Sequence, residues 1–85
     1  MTTVGAVEGD LQHRLGQSLR AYRKARGLSQ EEFADAVGVH RTYMGGLERG
    51  ERNVTLQTLE RLAERLGVDP IDLLGDAQGT RRATT

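Results

Sequence analysis

The sequence contains no cysteine, which excludes a disulfide framework and any zinc site built on thiolates. Its two histidines, His13 and His40, stand far apart and do not make a metal shell, so neither a metal nor a cofactor is expected. No stretch approaches the roughly 20 apolar residues that a membrane span needs, and the first residues lack a basic region followed by an apolar run. No membrane association is expected, and the cytoplasm is the default location. Net charge is lacking as well. Twelve Lys and Arg balance twelve Asp and Glu, so overall basicity gives no argument for a nucleic-acid partner. No nucleophile, base and orienting group fall at a recognisable spacing, so no catalytic residues and no enzyme are expected.

What is present is helical periodicity punctuated by glycine. Eighty-five residues build one core, with stability drawn from packing and capping. Residues 1–9 (MTTVGAVEG) and 76–85 (DAQGTRRATT) are patternless and are expected to form a flexible N-terminal arm and C-terminal tail around a domain at 10–75. Between them, Gly27, Gly38, Gly50, Gly67 and Gly75 each close an apolar-periodic segment, as glycine does at helix C-termini. The pattern predicts an all-α chain of five short helices. The first, near 10–26, places Leu11, Leu15, Leu19 and Tyr22 on a core-facing stripe. The second opens on Ser29-Gln30-Glu31-Glu32, a capping box, with Leu28 and Phe33 at staple positions. That pairing accounts for the acidic doublet. The third runs from about His40 to Arg49, with Val39 and Met44 as staple. The fourth starts at Thr55, with Val54 and Leu59 as staple and Leu56, Leu59, Leu62, Ala63 and Leu66 as its buried stripe. The fifth begins Asp69-Pro70, an acidic cap and then proline at the first helical position. No segment has the period of a strand.

Ala36-Val37-Gly38-Val39 is a connection too short for anything but a sharp corner between helices two and three, which is the helix-turn-helix. Ala34 is small where those helices cross. At about 100° per residue, Met44 and Leu47 face inward, and Arg41, Thr42, Gly45, Gly46 and Arg49 point away. Two glycines inside a helix cost about 1 kcal/mol each relative to alanine. They are read either as a close approach of this helix to DNA, shifting discrimination towards groove shape, or as a tolerated weak helix. Arg14, Arg20, Arg23, Lys24 and Arg26 lie in an acid-free stretch, while Glu31, Glu32 and Asp35, and later Asp69, Asp72 and Asp76, cluster. The faces either differ in sign or are ordinary solvated surfaces.

The run Gly27 to Ala34 (GLSQEEFA), the turn at Gly38-Val39 and the ending Leu47-Glu48-Arg49-Gly50 resemble the lambda-repressor-like, Cro-type XRE family of bacterial regulators. The resemblance covers residues 11 to about 75. Within that family, Arg41-Thr42-Tyr43 followed by Leu47-Glu48-Arg49-Gly50 and Arg52-Asn53 is similar to the controller proteins of restriction-modification systems. The resemblance implies a five-helix DNA-binding domain that regulates transcription as a repressor or autoregulator. It further implies a homodimer on a two-fold symmetric operator in double-stranded DNA, with the third helix in the major groove.

By position, the resemblance gives Gln30 to the DNA backbone, against a plain exposed first-turn glutamine. Arg41 and Thr42 go to base edges, where a guanidinium donates twice to guanine and a methyl meets thymine, against solvated side chains. Tyr43 is either a phosphate contact or a core tyrosine. His40 stands where the family more often has Ser, Asn or Asp, and reads as a weak cap, a phosphate contact or an exposed residue. Arg52 and Asn53 go to phosphates that set register. Arg49 reaches the backbone or stays solvated. Arg23 and Glu48 are implied to form a partly buried structural ion pair. Leu66, Val68, Ile71, Leu73 and Leu74 exceed what a short terminal helix needs, and either pair across a two-fold axis or close the monomer core. The rival readings are an antitoxin that also captures a toxin protein through the tail, and a protein-interaction module that does not bind DNA. The sequence specifies no small-molecule effector.

Overall fold

Side-chain caps open every described helix but the first in this computed structural model, which describes residues 9–75. Apart from Gly9, the expected arm lies outside the described residues, as does the tail on which the antitoxin alternative rests. The elements are α1 (Asp10–Ala25), α2 (Gln30–Val37), α3 (Arg41–Glu48), α4 (Leu56–Leu66) and α5 (Pro70–Leu74), with no strand among the described residues. Ser29 and Glu32 form the reciprocal box that opens α2, Ser29 Oγ accepting from the Glu32 amide at 3.0 Å and Glu32 Oε1 from the Ser29 amide at 2.8 Å. Thr55 caps α4 and Asp69 caps α5. Each cap meets an amide donor that lacks a partner within its own helix.

α1 packs on α3 and α5, α2 on α3 and α4, and α4 on α5. Leu15, Leu19, Phe33, Ala34, Val37, Met44, Leu47, Leu59, Leu62, Ala63 and Leu73 form the shared core, with the staple residues Leu28, Val39 and Val54 packed against it. Among the described residues the longest helix, α1, has 16 residues, and none is long and apolar enough to cross a membrane. Where α2 ends, Gly38 adopts φ +80° and the Val39 amide donates to the Ala34 carbonyl at 2.9 Å. The left-handed backbone is what turns the chain sharply into α3.

Two leucines depart from the periodic expectation. Leu11 is 58 % exposed and Leu56 78 % exposed, although both lie on the stripes that continue through Leu15 and Leu59. Each stands in the first turn of its helix, beyond the edge of the layer that covers the rest of the stripe. With Leu15, Val54, Leu59 and Leu74 they line an apolar groove.

Candidate nucleic-acid interface

α3 is fixed from three sides. From α1, Gly16 is pressed so closely to the end of α3 that a Cβ there would lie 2.5 Å from the Leu47 carbonyl oxygen and 2.7 Å from that of Glu48. From α2, buried Ala34 permits a close crossing. The third restraint is ionic. Arg23 Nε donates to Glu48 Oε2 at 2.8 Å and Arg23 Nη2 to Glu48 Oε1 at 3.1 Å, with the Glu48 side chain only 3 % exposed. Arg23 Nη1 also donates to the Leu28 carbonyl at 3.1 Å, and Gln30 Nε2 to Glu48 Oε1 at 3.1 Å. One ion pair thus joins the end of α1, the α1–α2 linker, the start of α2 and the end of α3. The hydrogen bond to Glu48 raises the Arg23 pKa above the ordinary guanidinium value, a rise that burial opposes.

At the other end of α3, the His40 Nδ1 accepts from the Thr42 amide at 3.2 Å. The capping reading of His40 is realised in the fold, and the side chain is exposed as well. The exposed Arg41 and Thr42 follow. They lie on a groove whose lining also holds Glu31 and Asp35 of α2. Acid on that side disfavours a phosphate there. Tyr43 is half-buried, with the Arg52 guanidinium 5.6 Å from its ring centre.

The backbone-contact candidates differ in how they are held: Arg49 and Asn53 are exposed, Gln30 half-buried. Arg49 Nε donates to Glu51 at 3.0 Å with both side chains 60 % exposed, a pair worth about 0–1 kcal/mol that a phosphate can displace. Asn53 Oδ1 accepts from Gln12 Nε2 at 2.6 Å, which leaves its amide nitrogen as a donor. Gln30 spends one amide hydrogen on Glu48 and retains the other.

Gly45 and Gly46 correct the sequence reading. Both are buried and do not form a bare outward surface. A Cβ on Gly45 would meet Arg49 Nη1 at 3.2 Å and Gln30 Oε1 at 3.6 Å, and one on Gly46 would meet Arg52 Cγ at 2.8 Å and Nε at 2.9 Å. The helical wheel directs them outward, but long polar side chains from the end of α3 and from neighbouring segments lie over them. Gly16 was missed altogether, because a lone glycine in a helical pattern carries no sign of what it faces.

The five apolar residues near the C-terminus of the domain separate in the fold. Leu73 is fully buried in the monomer core, which removes it from the pairing set, whereas Ile71 is 59 % exposed. Leu66, Val68 and Leu74 are half-buried against the core.

The helix-turn-helix family model HTH_3 matches residues 19–73. The chain is 48 % identical over 65 residues to the control protein C.SmaI of Serratia marcescens, covering 76 % of this chain and 77 % of that one. The crystal structure of the restriction-modification controller protein C.AhdI from Aeromonas hydrophila is similar at a TM-score of 0.65 and 47 % identity, over 73 % of this chain and 94 % of that one. The controller protein C.Esp1396I, solved as a tetramer on its natural 35 base-pair operator, is similar at a TM-score of 0.63 and 30 % identity, over 74 % of this chain and 83 % of that one.

Proposed function

The chain belongs to the helix-turn-helix family and is a sequence-specific DNA-binding transcriptional regulator; we propose that it acts as a homodimeric repressor or autoregulator on a two-fold symmetric operator. In this reading α3 enters the major groove, one copy per half-site, with half-sites about one helical turn apart. Arg41 and Thr42 read base edges. Gln30, His40, Tyr43, Arg49, Arg52 and Asn53 hold the phosphate backbone and set register without reading sequence. The protein works by binding, in the cytoplasm, without catalysis or a cofactor.

One observation carries the reading: Arg41 and Thr42 are exposed at the start of a helix that is held by packing and by the Arg23–Glu48 pair. A recognition element needs both properties, free side chains and a rigid base. Pairing of two copies is supported by exposed Ile71 with half-buried Leu66, Val68 and Leu74 beside it in sequence, more apolar surface than a five-residue helix needs for itself.

Selection from random duplexes tests the proposal. Enrichment of a palindrome whose half-sites lie about one helical turn apart is expected. Enrichment of nothing, even at low salt, would remove the regulator reading, and enrichment of a single unrepeated half-site would remove the dimer.

A further inference from the structure

Gly46 lies inside α3 with helical backbone geometry, so no turn requires glycine there, yet alanine is the better helix former. What occupies the space of its missing side chain is Arg52. The arginine stem runs across the bare backbone, with Cγ 2.8 Å and Nε 2.9 Å from where a Cβ would be, and its guanidinium reaches the Tyr43 ring one turn earlier on α3, 5.6 Å from its centre. Arg52 makes no ion pair among the described residues. A long flexible cation in a loop is thus laid along the helix that would enter the groove, held by shape and by the ring face, without a carboxylate to neutralise it.

We infer that Gly46 is a positioning residue for Arg52: its missing side chain forms the channel that presets the arginine for a DNA phosphate. The inference rests on the proposed role of Arg52 in phosphate binding. Ordering the guanidinium before association removes part of the entropy that binding would otherwise cost. A side chain at position 46 must push the arginine stem off the helix and away from Tyr43. Because the obstructing atoms belong to a side chain in an exposed loop, the fold itself can yield without damage.

Comparison of Gly46→Ala, Arg52→Ala and the double variant tests this on the duplex recovered by selection. Arg52→Ala is expected to weaken binding and to lower the slope of log affinity against log salt by about 0.9, one phosphate contact. Gly46→Ala is expected to reproduce the greater part of that loss while melting no lower than the parent protein. The double variant should bind no more weakly than Arg52→Ala alone. In the free protein, Gly46→Ala should shift the Tyr43 ring proton resonances in the same direction as Arg52→Ala. Full affinity, unmoved Tyr43 resonances, additive losses or an unfolded Gly46→Ala would each overturn the inference. An Arg52→Ala protein with unchanged affinity and salt slope would instead remove the phosphate role of Arg52, and with it the reading on which the inference rests.

Discussion

Arg23 and Glu48 stand 25 residues apart in sequence and meet through two hydrogen bonds on a carboxylate that is almost wholly buried. The pair closes the end of α3 against the end of α1, and Arg23 extends the link to the α1–α2 linker through the Leu28 carbonyl. Removing either member leaves an uncompensated charge in a dry setting, which costs about 3–5 kcal/mol. Urea unfolding of Glu48→Ala should show a loss of that order, a large part of the roughly 5–15 kcal/mol that holds a small domain together. A loss below about 1 kcal/mol would place the pair with ordinary surface bridges.

Gly16→Ala should also destabilise, against the usual gain of about 1 kcal/mol for replacing glycine in a helix. The added methyl meets the Leu47 and Glu48 carbonyls, and backbone cannot swing aside as a side chain can. Overpacking of this kind costs about 1–3 kcal/mol, readable as a lower melting temperature. An unchanged or raised melting temperature would show that α1 and α3 can separate freely.

Much of this architecture was legible in the sequence because local chemistry marks helix ends. Ser29 with Glu32, Thr55, and Asp69 with Pro70 are caps whose partners lie within the next turn, so no tertiary knowledge is needed to recognise them. Interior packing is different. Gly16 faces carbonyl groups, Gly46 an arginine stem and Gly45 two polar tips, yet all three are the same letter in a helical pattern. Leu11 and Leu56 fall on the correct stripes, but periodicity gives the direction of a side chain and not where the covering layer stops. Exposure of Arg41 and Thr42 followed from the wheel; of the side chains that lie over Gly45 and Gly46, Arg49 is on that wheel, but Gln30 and Arg52 come from segments it does not include.

His40 is an unusual cap, an imidazole nitrogen accepting at 3.2 Å. A hydroxyl at the same place is a better acceptor for the first turn. His40→Ser is therefore expected to stabilise the domain by about 0.5–1 kcal/mol. If His40 also contacts phosphate, the same variant should bind DNA more weakly despite its greater stability. Equal gains in both measurements would confine His40 to capping.

Ile71→Glu tests the pairing of copies. Because Ile71 is 59 % exposed, the monomer should lose no more than about 0.5 kcal/mol, while sedimentation equilibrium should show a dimer converted to monomer. A dimer of undiminished strength would move the interface elsewhere, with the groove lined by Leu11, Leu56 and Leu74 the next place to mutate.

The most direct measurement is a single-base scan of the selected operator, made with the parent protein, Arg41→Ala and Arg52→Ala. Arg41→Ala should lose roughly 1–3 kcal/mol on the preferred site and relax discrimination at one base pair of each half-site, whereas Arg52→Ala should weaken every sequence alike. Undiminished discrimination by Arg41→Ala at every position would contradict the claim that the exposed start of α3 reads the bases.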